Sequence, residues 1–341
     1  MLHKYAVLAQ TCCLYFFCHM LRSSQINAIN FLLLPILLII SISIGAASFH
    51  WGDLFISSDT RSLLLYSRLP RSLAIILTGA TLAVAGMVLQ IVLRNRFLEP
   101  GMVGATQSAA LGVLLVSIWL PQASQLTKMS CASLAALLGM TLFLFLFRRL
   151  PAHRQLMIPL IGIIYGSIIE ALVNFIGVET NTLQLLAVWF AGDFSAVLAG
   201  RYELLWITGL MTLVIYFLAD RLTIAGLGQN ISTSLGINYA QMMWISLITV
   251  AMITAIVVVT VGQIPFIGLV VPNIISRLAG DRLRQNLPAV ALLGANALLI
   301  CDIIGRTINP PYEIPVSLIF GIVGTVIFLY LLFRKPSVHA V

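Results

Sequence analysis

Two arginines stand three residues apart around a proline, in Arg68-Leu69-Pro70-Arg71, and a third, Arg306, follows Asp302 by four residues. A guanidinium carries a rigid fork of donors that pairs bidentately with carboxylates, so this set suits the reception of an acidic surface. The alternative is interfacial snorkelling, and Asp302 stands where it can neutralise Arg306 locally. Other chemistry-bearing residues are sparse. The mid-span carboxylate is Glu170; beside Tyr165 and Asn174 it reads either as a proton relay or as a hydrogen-bonded packing residue. Cys12, Cys13, Cys18, Cys131 and Cys301 lack CxxC spacing and read as reduced packing thiols. The only lysines are Lys4, Lys128 and Lys335, and none follows a glycine. A phosphate-cradling GxxxxGK[ST] loop is therefore absent, as are HExxH and GxSxG motifs.

The elements that must hold these residues are membrane helices. In 341 residues, 60% are hydrophobic and 9% are charged. A soluble surface needs about 25% charge or more, so water cannot be the main solvent of this chain. A span takes about 20 apolar residues. Ten such runs fall near 28–48, 72–93, 101–120, 130–147, 156–178, 204–219, 240–262, 264–279, 287–304 and 314–333. They are continuously apolar, without the alternation of a barrel wall, which predicts an all-α fold. Tyr5 to Met20 reads as a cytoplasmic or interfacial extension, with Met20 as an alternative start. Thr182 to Gly200, interrupted by Gly192-Asp193, reads as a partly re-entrant loop.

Charge sets the orientation. With the N-terminus inside, thirteen of the 19 basic residues fall in cytoplasmic segments and six outside: Arg61, Arg68, Arg71, Lys128, Arg201 and Arg306. Both termini are expected in the cytoplasm. The net charge of +8 then marks inner loops facing anionic lipid and not a nucleic-acid surface.

Three further ordered motifs follow the Arg-Leu-Pro-Arg segment. Gly79-Ala80 through Gly86 to Gln90 places small residues at helix-packing spacing ahead of Arg94-Asn95-Arg96-Phe97. Gly262-Gln263-Ile264-Pro265-Phe266-Ile267-Gly268-Leu269-Val270-Val271-Pro272-Asn273 comes later, and Asp302, Arg306 and Glu313-Ile314-Pro315 close the series. Across roughly residues 50–335 this pattern resembles the FecCD family, the permeases of ABC importers for ferric siderophores, haem and cobalamin. Arg94-Asn95-Arg96-Phe97, Trp189, Gly192-Asp193-Phe194-Ser195 and Gly200-Arg201-Tyr202-Glu203 are similar to the iron-chelate subgroup.

The resemblance implies a type II importer fold of about ten helices, with residues 1–26 as an extension, 27–335 as one transmembrane domain and 336–341 as a cytoplasmic tail. It implies a permease in a bacterial cytoplasmic membrane that moves a ferric siderophore, catecholate-type favoured, with haem or cobalamin as the alternative cargo. A second permease subunit, a paralogue favoured over a second copy, completes the core. Two ATPase subunits hold the ATP and magnesium, so this chain binds no cofactor itself, and a soluble outer binding protein delivers the cargo. The docking residues would be Arg68, Arg71 and Arg306. Coupling to the ATPase would lie in the inner loop 220–239, as two short helices carrying Leu227, Gly228, Gln229, Leu235 and Gly236. Gln229 departs from the acid usual there, and Asn273 from a frequent histidine. Gln90, Glu170, Gln184, Trp189 and Asp193 would line or gate the path. An ion-coupled carrier built on Glu170 is the rival from another class.

Overall fold

The computed structural model describes residues 25–45, 51–55, 57–148, 158–280 and 282–333. Among them there is no strand. The helices are α1 (Gln25–Ser43), α2 (Ser58–Leu63), α3 (Leu69–Val92), α4 (Ala105–Trp119), α5 (Gln125–Arg148), α6 (Ile158–Glu179), α7 (Leu183–Trp189), α8 (Leu205–Ala225), α9 (Gln229–Ser234), α10 (Tyr239–Val261), α11 (Ile267–Ala279), α12 (Leu283–Thr307) and α13 (Val316–Phe333). Each of the ten expected spans falls on one of them. Eight helical stretches are long and apolar enough to cross a membrane, whereas α4 and α11 are shorter. At 1.5 Å per residue they reach only about 20 Å. The connections that precede them, 93–104 with its 3-10 turn Pro100–Val103 and 262–266, are partly buried in protein, the condition under which irregular backbone is tolerated away from water. Residues 1–24 of the expected extension 1–26 and the tail at 336–341 lie outside the described residues, while Gln25 and Ile26 already belong to α1.

Helix α3 is the hub, packing against α8, α10, α11 and α12. Its most apolar stretch is 78% buried and that of α10 is 72% buried, against 22% for α1, α6, α8 and α13, whose open faces suit lipid. Small residues permit the close crossings: a methyl group on Gly79 would overlap the backbone of Gly294 in α12, and one on Gly86 would overlap Gly268 in α11. Lipid tails are as apolar as leucine, so tight backbone contact supplies the helix association that the hydrophobic effect cannot.

Two prolines turn backbone polarity into tertiary links. The helix that contains Pro70 is continuous from Ser58 and reaches the proline through a π-helical turn, Leu64–Arg68. Proline has no N–H for the carbonyl four residues earlier, here Tyr66, and that oxygen instead accepts from Ala199 N at 3.0 Å. Pro272 in α11 likewise leaves the Gly268 carbonyl without a helical donor, and Gln90 Nε2 fills the gap at 3.1 Å. The inner loop is shorter than expected. Helix α8 runs on through Ala225 because Leu222 and Ala225 are buried, which leaves one six-residue helix, α9, in place of two.

Candidate functional site

At one end of the bundle the three arginines do converge, but not with guanidinium groups facing water. Arg71 donates through Nη2 and Nε to Asp302 Oδ1 at 2.7 and 3.2 Å, and through Nη1 to Glu313 Oε2 at 2.6 Å. Arg306, one helical turn beyond Asp302, donates to the other carboxylate oxygen. Its other Nη donors reach Ser41 O at 3.0 Å, Ile44 O at 2.6 Å and Ser41 Oγ at 2.7 Å. Arg68 Nη1 donates to Ile42 O. The last carbonyls of a helix have no intrahelical partner and carry its negative dipole end, so Arg68 from the π-helical turn before α3 and Arg306 from α12 both satisfy and neutralise the end of α1. The Asp302 side chain is fully buried, while Arg71 keeps 12% of its side chain exposed and Glu313 keeps 22%. Sequence placed these groups at helix ends. It carried no sign that α1 would come to meet them.

The path residues separate into three groups. Gln90 does not line open space: it is buried in the contact between α3 and α11, with its amide on Leu98 O at 3.2 Å and Gly268 O. Glu170 lies on the exposed face of α6, as does Asn174. Tyr165 gives its hydroxyl to Gly139 O at 2.7 Å, so the packing cluster expected around Glu170 is not formed. Gln184 is exposed on α7. Trp189 and Asp193 border an open cavity of about 440 Å³. The segment that carries them is anchored from both sides: Ser317 N donates to Gly192 O at 3.1 Å, Ser317 Oγ donates to Ala191 O, and Gly192 packs against the Gly262-Gln263 backbone. Gly192 has φ +65, and a side chain there would strike Gln263 and Ser317.

The opposite end carries the expected coupling residues. Ile231 and Leu235 lie one turn apart on α9 and its C-terminal end, with Leu227 at the turn before it, and the three are 47%, 59% and 54% exposed. Gly228 and Gly236 have φ +107 and +76, the left-handed backbone that lets the short helix turn back on both sides. Asn238 Oδ1 caps α10 by accepting from Gln241 N at 3.1 Å. Arg94, noted in sequence only as a subgroup mark, ties this loop to α3: its Nε donates to Gly226 O at 2.8 Å, and its guanidinium fills the space a side chain at 228 would need. Glu99 lies outside the spanning helices, in the connection from α3 to α4. Burial raises its carboxyl to a pKa of about 7, although the Phe266 N–H that donates to it pulls the other way.

Comparison with known proteins gives a match along nearly the whole chain. The petrobactin import system permease protein YclN of Bacillus subtilis is 40% identical over 308 residues, covering 90% of this chain and 98% of that protein. The ferric-anguibactin transport system permease protein FatD of Vibrio anguillarum is 39% identical over 295 residues, covering 86% and 94%. A solved metal-chelate-type ABC transporter in an inward-facing conformation superposes with a TM-score of 0.80 at 27% identity, covering 91% of this chain and 99% of that one. The FecCD transport family itself matches residues 33–334, which take in the arginine cluster, the glycine crossings and α9, and the chain belongs to that family.

Proposed function

We propose that this chain is the membrane permease of an ABC importer that carries a ferric siderophore inward. The observation that carries the reading is the 40% identity with a petrobactin import permease over 98% of that protein's length. Catecholate-type chelates are the favoured cargo, ahead of haem and cobalamin. The arginine-cluster end faces outward and the α9 end faces the cytoplasm, with both termini inside, in keeping with the excess of basic residues on the α9 side. A second permease, a paralogue in preference to another copy, completes the core.

ATP and magnesium belong to partner ATPase subunits. The apolar ridge of Leu227, Ile231 and Leu235 plugs into them, and Arg94 passes the movement of α9 to the hub helix α3. Gly228 and Gly236 set the shape of this plug, and Gln229 opens its helix. At the outer end an acidic binding protein docks. Arg71, the contact closest to solvent with Glu313 beside it, receives its carboxylates, while Arg68 and Arg306 hold α1 and so shape the surface. Trp189, Asp193 and Gln184 gate the outer mouth. No covalent chemistry is required of this chain.

The test is complementation. Cells lacking their own iron-chelate permease should accumulate radiolabelled iron from ferric petrobactin when the chain is supplied with its partner subunits. Uptake should fail when the ATPase is inactive and survive Glu170→Gln. Uptake that needs Glu170 but not the ATPase would instead establish the ion-coupled carrier.

A further inference from the structure

The cavity beside Trp189 holds two cations that none of the roles above uses. Lys128 reaches it from the first turn of α5, and Arg201 from the loop that leads into α8. Val188 and Trp189 of α7 form one wall, and Val259, Thr260 and Val261 close it where α10 ends. The ammonium of Lys128 has three donors, of which Pro121 O accepts one at 3.3 Å. Asp193, the carboxylate among the lining residues, turns both oxygens onto its own loop: Oδ1 accepts from Ser195 N at 3.1 Å and Oδ2 from Ser195 Oγ. The lining thus combines two cations on separate elements, one carboxylate held by its neighbour and an indole half-open to the space. At about 440 Å³ the cavity lies in the size range of small-molecule sites.

This combination selects a class of ligand. Catecholate and carboxylate oxygens around Fe(III) bring more negative charge than the metal cancels, so such chelates are anionic and aromatic. Ammonium and guanidinium groups pair with those oxygens, and an indole stacks on a catechol ring. Charges this open to solvent are screened by salt and individually weak, which suits a site that must accept cargo and release it.

We propose that this cavity accepts the anionic, aromatic part of an iron chelate at the outer mouth, with Lys128 and Arg201 as its charged contacts and Trp189 as its stacking face. The inference rests on the reading of the chain as a chelate permease.

The test measures binding of ferric petrobactin to the complete transporter in nanodiscs, without nucleotide or binding protein, by quenching of tryptophan emission. Wild type should show a saturable quench that weakens about tenfold when salt rises from about 0.02 M to about 0.3 M. Lys128→Gln with Arg201→Gln should weaken binding about tenfold at low salt and flatten the salt dependence, while Lys128→Arg with Arg201→Lys should stay within about twofold of wild type. Trp189→Phe should remove most of the saturable quench. ATP hydrolysis close to wild type identifies variants that have assembled. Unchanged affinity in the neutralised pair, or an undiminished quench in Trp189→Phe, overturns the site. Uptake by intact cells separates the two failures: accumulation of ferric petrobactin together with binding indifferent to these residues leaves the permease reading standing and removes the site. No accumulation by the wild type removes both.

Discussion

The Gln90 side-chain amide donates to the Gly268 carbonyl at 3.1 Å, and that oxygen is open to it because Pro272 has no N–H to offer. Gly86, one turn before Gln90, lets α3 approach closely enough for the bond to form. Gln90→Leu keeps the volume but leaves a buried carbonyl unsatisfied. The expected loss of stability is about 1–3 kcal/mol, read as a lower melting temperature of the reconstituted protein. Gln90→Glu should be worse, since a carboxylate cannot donate. A Gln90→Leu variant as stable as wild type would mean that the Gly268 oxygen finds another donor.

Asp302 serves two arginines from a fully buried position. Asp302→Ala leaves Arg71 and Arg306 together without their shared carboxylate, and should cost about 3–5 kcal/mol in thermal unfolding. Removing one cation as well, with Arg306→Leu, should recover part of that loss, although it also exposes the α1 carbonyls. A double variant less stable than the additive sum would show that the capping of α1 outweighs the charge balance.

These two sites mark what was legible in the sequence. Each of the ten apolar runs marked a helix, because such a run has few other uses, but among the described residues eight of these are long enough to cross a membrane and α4 and α11 are not. The grouping of Arg68, Arg71 and Arg306 at one end was legible too, because charge near a span terminus fixes its level. The missing parts are tertiary. Ser57, Asp59 and Arg61 are polar and hid the roughly three extra turns that α2 and the π-helical turn add before α3. Pro70 and Pro272 announced that Tyr66 and Gly268 would lose a helical donor, but nothing local named Ala199 or Gln90 as the replacement. The burial of the arginines followed from the path of α1, whose end meets them across more than twenty residues of chain. The turns on both sides of α9 were readable in Gly228 and Gly236, yet the contact from Arg94 depends on a backbone turn at the foot of α3 that its sequence does not declare.

Glu99 predicts a pH effect. Its folded pKa of about 7 lies above the ordinary 4.5, so the native state holds the proton more tightly than the unfolded chain does. Its stabilising influence is complete below pH 4.5 and is lost as pH rises through about 7. Glu99→Gln stays neutral and can still accept from Phe266 N. It should be more stable than wild type at pH 8, by about 3 kcal/mol at most, with the difference vanishing toward pH 4.5. Melting curves across that range check it, and a gain that is constant with pH would contradict it.

The ridge on α9 predicts separable stability and coupling. Leu227→Asp, Ile231→Asp and Leu235→Asp alter exposed positions, so each should change stability by less than about 0.5 kcal/mol. Co-purification with the ATPase subunit should nevertheless fall at least tenfold for the triple variant, since burying three carboxylates in an apolar groove is costly. Arg94→Ala should leave that association intact while reducing transport per ATP hydrolysed. Loss of association in Arg94→Ala would make it a contact and not a strut.

Proteoliposomes containing the permease core, with and without the ATPase subunits, give the most direct test of where the driving force enters. With binding protein, ferric petrobactin and ATP supplied, accumulation should require the ATPase subunits and persist when ion gradients are collapsed. Accumulation driven by a proton or sodium gradient in vesicles that lack the ATPase would contradict that result.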